Sequence, residues 1–157
     1  MKIALIYYSL TGNTEYIAKK IGDKICVDFY KIKVVSEYPK KGLKKFLYCG
    51  KSAVFEENVK VECDCDVNKY DYIILGTPIW ASNITPPLRS FINKNIYKFN
   101  NKRISVFLTF SGGGDKRAIK KLKECLKVNS FEHELILKNK DNNKEIECFI
   151  KNIKNNM

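Results

Sequence analysis

The residues best equipped for chemistry by type and spacing are Ser9, Leu10, Thr11, Gly12, Asn13 and Thr14, which follow an apolar run, Ile3 to Tyr8, and lead into a helical pattern. A buried strand that turns into a helix here leaves first-turn N–H groups converging on one spot, which the helix dipole makes positive. Ser9, Thr11 and Thr14 add hydroxyl donors, while Gly12 and Asn13 tolerate the positive φ of a backbone nest. The stretch holds no Lys or Arg, which suits the phosphate monoester of a tightly held cofactor better than a nucleotide that turns over. Thr-x-x-Thr spacing also serves as an ordinary helix cap, so two readings stand: an anion cradle, or a cap with a turn before it.

To place those residues, the rest of the chain must build a sheet. Apolar runs alternate with helical periodicities from end to end, the signature of βαβ units and a parallel sheet. The expected strands are Ile3 to Tyr8, Phe29 to Val35, Tyr72 to Leu75, Ile104 to Phe110 and Leu135 to Leu137. Helices are expected from Asn13 to Lys24, within Lys41 to Phe55 after Pro39, after Pro86-Pro87 with Leu88, Phe91 and Ile92 inward, along Ile119, Leu122 and Leu126, and along Ile146, Phe149, Ile150 and Ile153. Glu56 to Asn68 reads as a polar surface stretch with a short extended piece at Val59 to Cys63. In a doubly wound sheet ligands bind at the carboxyl ends of strands where the winding reverses. The unusual loops 9–14, 77–85 and 111–115 all fall at that edge.

Composition narrows the function classes without choosing among them. The 157 residues suffice for one domain that buries roughly two thirds of its unfolded surface. The N-terminal apolar run is too short for a signal peptide and no segment approaches a membrane span, so a cytoplasmic chain is expected. Six cysteines, Cys26, Cys49, Cys63, Cys65, Cys125 and Cys148, then read as reduced thiols. With one His and no Cys-x-x-Cys, a zinc or iron–sulfur site is disfavoured. The formal charge of +12 is spread along the chain and favours acidic proteins, nucleic acid or phosphorylated small molecules alike. Lys40, Lys41, Lys44 and Lys45 form a candidate docking face on charge alone. Gly50-Lys51-Ser52 looks like the end of a nucleotide P-loop, but Lys45 stands where that motif needs Gly, and no buried strand precedes it.

At the three loops the chain resembles the flavodoxin family. Ser9-Leu10-Thr11-Gly12-Asn13-Thr14 is similar to its phosphate-loop pattern Ser/Thr-x-Thr-Gly-x-Thr, Thr77-Pro78-Ile79-Trp80 to its loop after the third strand, and Ser111 to Asp115 to its Gly-rich loop after the fourth. The likeness covers nearly the whole chain, in the short version with no insertion in the last strand. It implies a flavodoxin-like α/β fold: a single domain over residues 1–157, a three-layer α/β/α sandwich around a five-stranded parallel sheet of order 2-1-3-4-5. It also implies a non-covalent FMN, with residues 9–14 on the phosphate. Thr77, Pro78, Ile79, Trp80, Ala81, Ser82 and Asn83 on one side, and Ser111, Gly112, Gly113, Gly114 and Asp115 on the other, would flank the ring. Trp80 is the candidate for stacking on the isoalloxazine, which contributes on the order of 1 kcal/mol beyond area burial; a core tryptophan is the plainer reading.

Three departures from the family pattern matter. No aromatic follows Phe110 in the loop after the fourth strand, which implies an open ring face. No Gly lies between Thr77 and Thr85, so a peptide flip toward the reduced ring that needs φ > 0 would be resisted by about 1–2 kcal/mol. Family carriers are usually acidic, whereas this chain is basic. The first functional expectation is an FMN electron carrier between redox partner proteins, acidic ones included, in which no side chain acts as acid or base. The second is an FMN-dependent NAD(P)H oxidoreductase acting on a quinone or another small acceptor. Nucleic-acid binding and membrane insertion are disfavoured, and monomer and homodimer are both open.

Overall fold

A computed structural model describes residues 1–36, 38, 42–138 and 142–157, with the backbone alone at 42–47. The expectations for Pro39, Lys40 and Lys41, and for the side chains of Lys44 and Lys45, lie outside the described residues. In chain order the elements are β1 (Ile3–Tyr7), α1 (Asn13–Gly22), β2 (Asp28–Lys31), β3 (Lys33–Val34), α2 (Gly42–Val54), β4 (Val61–Glu62) and β5 (Tyr72–Trp80). There follow β6 (Asn83–Ile84), α3 (Pro86–Asn95), β7 (Arg103–Thr109), α4 (Asp115–Leu126), β8 (Glu134–Leu137) and α5 (Asn143–Asn155).

The main sheet runs β2-β1-β5-β7-β8, every neighbouring pair parallel. Counted along the sheet's own strands this is the expected order 2-1-3-4-5, and helices cover both faces. Period-two alternation sorts the central strands: Ile3, Leu5 and Tyr7 of β1 join Ile17, Ile21, Phe149 and Ile153 of α1 and α5. Ala4 and Ile6 face the other way, with Leu88, Phe91, Leu122 and Leu126 of α3 and α4. Because both faces are covered, β1 reads as an unbroken buried run.

Two expected elements differ. The second strand does not run from Phe29 to Val35: it stops at Lys31, and Lys33–Val34 pair antiparallel with Val61–Glu62 as a separate ribbon. Ile32 is the pivot, its N–H donating to the Tyr7 carbonyl at 2.8 Å and its side chain 1% exposed. The third central strand does not end at Leu75. It runs through Gly76, Thr77, Pro78 and Ile79 to Trp80, then turns back through Asn83–Ile84, with Ile79 opposite Ile84 and Trp80 opposite Asn83. The expected 77–85 loop is therefore a hairpin. Gly76 does not break the strand: the Phe107 ring lies where a Cβ would stand.

Candidate functional site

The carboxyl ends of β1, β5, β7 and β8 open into one cavity of about 840 Å³, within the range of small-molecule sites. Its walls come from the phosphate-loop candidate (Leu10, Thr11, Asn13, Thr14), the hairpin (Pro78 to Ser82) and the Gly-rich loop (Ser111 to Gly113). The three stretches singled out in sequence thus converge on a single space. Not every candidate within them reaches it: Ser9, Gly12, Thr77, Asn83, Gly114 and Asp115 lie outside the lining.

Those outlying residues shape the walls. The Ser9 hydroxyl accepts the Gly12 N–H at 3.1 Å, closing the turn on itself. Gly12, at φ 92°, precedes α1, and no side chain caps that helix. The cap reading of the Ser/Thr pattern therefore has no cap bond behind it; Thr14 instead pairs its hydroxyl with that of Thr109 at 2.8 Å, tying the loop to the end of β7. The α1 N-terminus, with its dipole, is turned to the same loop. Across the cavity Gly114, also at φ 92°, precedes α4, again without a side-chain cap. A Cβ at Gly114 would overlap the Ser82 side chain and backbone, so this glycine permits the Gly-rich loop to close on the hairpin. Gly112 and Gly113 face open space.

Thr77 ends β5's buried part with its hydroxyl 2.8 Å from that of Thr85, at the start of α3. Asn83 is 6% exposed and fully engaged: its amide donates to the Ala53 carbonyl at 2.9 Å, and its oxygen accepts from Ile84 N–H and from Arg89 Nη2, each at 2.9 Å. Trp80 lies at the end of a strand, not in a loop. It is half-buried and meets Tyr8 (5.8 Å, 84°) and Tyr38 (5.1 Å, 77°) edge-on; neither ring stacks on it in parallel. The Tyr38 hydroxyl is pushed above its usual range by burial, and its partner Ser52 lies at 3.3 Å.

Ala81 and Ser82, at φ 48° and 60°, hold the hairpin turn in the left-handed region. The sequence, lacking a Gly in this stretch, predicts resistance to a positive φ. The fold instead maintains it at two L-residues, and the backbone strain is already present in the protein at rest. Residues outside the predicted cofactor-binding set also line the cavity: Cys49 and Gly50 of α2, Thr109 and Phe110 at the end of β7, and Leu137 and Lys138 at the end of β8. Phe110 and Lys138 carried one usable signal, their position at the carboxyl end of a strand. The α2 pair carried none, since nothing in the sequence aims that helix. Among the described residues no cluster of His, Cys, Asp and Glu is arranged to hold a metal ion, and no helix is long and apolar enough to cross a membrane.

Comparison with solved structures places this fold among flavoproteins. A flavoprotein of Lactobacillus acidophilus in complex with FMN matches with TM-score 0.75 at 19% identity, over 94% of this chain and 97% of its own. A candidate flavoprotein of Bacteroides uniformis matches with TM-score 0.76 at 21% identity, over 96% and 97%. Two-electron reduced Megasphaera elsdenii flavodoxin gives TM-score 0.63 at 18% identity, over 96% and 99%. No curated protein matches in sequence. The flavodoxin family model matches residues 2–153, nearly the full chain, and the protein belongs to the flavodoxin family.

Proposed function

We propose that this protein binds FMN non-covalently and carries electrons between redox partners. The observation that supports this most directly is the cavity itself: an uncapped helix N-terminus with Thr11, Asn13 and Thr14 at one end, and the half-buried Trp80 in the same wall. The donor set fits a phosphate monoester, since backbone N–H groups and hydroxyls surround it without a cation in the loop. The cavity's size and its aromatic and Gly-lined walls fit a flat ring system. Bound there, FMN would supply one- and two-electron chemistry. The chain's own part is to hold and orient it: Thr11, Asn13 and Thr14 at the phosphate, Trp80 against the ring, and backbone groups of Ala81, Ser82 and Ser111 to Gly113 at its polar edge. The net charge of +12 favours acidic partner proteins.

A second reading, an FMN-dependent NAD(P)H oxidoreductase for a quinone or similar small acceptor, draws on one feature. Ser111, Gly112 and Gly113 line the cavity and are exposed, and the loop carries no aromatic side chain beyond Phe110. That rim leaves room for a second flat molecule.

Apo-protein titrated with FMN should quench flavin and Trp80 fluorescence together, with micromolar affinity or better. Anaerobic titration of the complex with dithionite and with NADH or NADPH then separates the readings. Stepwise one-electron reduction by dithionite with inert nicotinamides supports a carrier. Rapid bleaching by a nicotinamide supports the reductase, and absence of FMN binding overturns both.

A further inference from the structure

Behind the cavity wall lies a buried charged side chain that does not touch the cavity itself. Arg89, in the first turn of α3, is 8% exposed. Its backbone N–H donates to the Thr85 carbonyl at 3.0 Å, its Nη2 to Asn83 Oδ1 at 2.9 Å, and its Nη1 lies 3.4 Å from Glu56 Oε2. Its Nε has no partner among the described residues. Glu56 is held in turn by Lys121 of α4 at 3.2 Å. A buried guanidinium is costly unless paired, so its placement asks for a reason.

The contacts supply one. Five non-glycine residues among those described have positive φ; one of them, Glu56, pairs with this guanidinium, and two others, Ala81 and Ser82, directly precede Asn83, which also bonds it. Glu56 ends α2 in a left-handed position where Gly is usual: its N–H donates to Ala53 and that of Glu57 to Ser52, both to backbone carbonyls. Ala81 and Ser82 form the hairpin turn directly before Asn83. Arg89 therefore joins the left-handed end of α2 to the left-handed hairpin turn, through Glu56 on one side and Asn83 on the other. Asn83 closes the same loop by donating to Ala53. Ser82 of the turn packs against Gly114 just before α4, and Ala81 lies near Gly50 of α2.

We infer that Arg89 is a positioning residue: with Glu56 and Asn83 it clamps the Trp80–Asn83 turn against the cavity and thereby sets the affinity for the cofactor's ring. This deepens the FMN reading and rests on it for the ligand. The clamp itself is a property of the apo-protein. A planar fork can reach two acceptors on different elements at once, whereas a lysine ammonium is a single point charge.

The test compares wild type with Arg89→Met, Arg89→Lys and Glu56→Ala at a temperature where all are folded by far-UV circular dichroism. The first readout is amide hydrogen exchange of the segment 79–85 in the apo-protein, against β1 as internal reference. The second is FMN affinity by fluorescence. In Arg89→Met, exchange of 79–85 should rise at least tenfold while that of β1 changes less than twofold, and FMN should bind at least tenfold more weakly. Arg89→Lys should recover part of both effects. Unchanged 79–85 exchange, or a rise shared equally with β1, overturns the clamp and reduces Arg89 to a general structural residue. Faster 79–85 exchange with unaltered FMN affinity overturns the link to the cofactor. Should Arg89→Met not fold, the half-exposed Glu56→Ala decides by the same criteria, with effects of about threefold expected. If wild type binds no FMN, the FMN reading fails, and the exchange experiment still tests the clamp.

Discussion

At the scale of single residues, the glycines of the loop after β7 separate into two kinds that look alike in sequence. Gly113 borders open space and has no positive φ, so a methyl group there meets nothing. Gly114 combines φ 92° with contact to Ser82 so close that a Cβ would overlap it. Gly114→Ala adds left-handed strain to a steric conflict with backbone, each worth about 1–3 kcal/mol. It should lower stability by at least about 2 kcal/mol and disturb the hairpin turn, whereas Gly113→Ala should stay within about 0.5 kcal/mol of wild type. Urea denaturation midpoints of the two variants check this; equal midpoints would show that the loop gives way at no cost. A comparable split separates the polar candidates. Thr11 and Asn13 line the cavity, but Asn83, polar and flanked by loop-like residues in sequence, is spent on internal bonds.

At the scale of elements, what was legible followed from period and spacing, and what was not depended on contacts distant in sequence. The sheet order came only from the family resemblance, whereas the buried runs of β1 and β7 and the Ser/Thr/Gly/Asn joint before α1 carry their own signals, so the alternation of strands and helices could be read directly. The hairpin could not. Its turn, Ala81-Ser82, lacks the Asn-Gly or Gly-Gly chemistry that announces a two-residue turn, and Gly76 and Pro78 read as strand breakers. Phe107 explains the first, because its ring takes the place of a side chain at Gly76. The Asn83–Ile84 partner strand explains the second. Arg89 was invisible for a general reason: a charged residue in a helical pattern is almost always on the wet face. The early end of β2 has the same origin, since the β-branched Ile32, Val34 and Val35 suit either the sheet or the ribbon with β4. Ile32 holds the division between them, with its N–H on β1 and its side chain in the same buried core cluster as Tyr8 and Tyr38. Ile32→Ala should cost about 2–5 kcal/mol, read from urea denaturation. Val34→Ala, half-buried within the ribbon, should cost less than half as much. A smaller loss at Ile32 than at Val34 would mean that the ribbon, not the pivot, anchors this edge.

At the scale of the whole molecule, an excess of positive charge makes its carboxylates the scarce partners, and stability should follow them with pH. Hydrogen bonding to Lys31 holds Glu15 below the usual carboxylate range, and Arg103 does the same for Glu132. For Glu56 partial burial pushes upward, but Arg89 and Lys121 outweigh it and the net direction is again down. A carboxylate whose folded value is depressed contributes stability that is fully present above its unfolded value and lost as pH falls through the folded one. Self-repulsion grows over the same window as acids are neutralised, so both effects have one sign. At the alkaline end Tyr7 acts in the opposite sense. Burial, and then the charge of Glu15 and a hydrogen bond to it, push its hydroxyl from 10.0 up to about 12. The neutral phenol is favoured in the folded state, and that contribution is present below pH 10 and lost between 10 and about 12. Melting temperature should therefore form a plateau near neutrality, fall below the carboxylate range, and fall again above pH 10. Glu132→Gln should flatten the acid limb by only about 0.2–1 kcal/mol, since its side chain is 34% exposed. Tyr7→Phe should remove part of the alkaline limb and leave the acid one intact. An alkaline limb unchanged in Tyr7→Phe would assign it to the other buried phenols and thiols pushed up by burial, such as Tyr70, Tyr72 and Cys65, or to lysine deprotonation, and the Tyr7–Glu15 pair would then have no part in it.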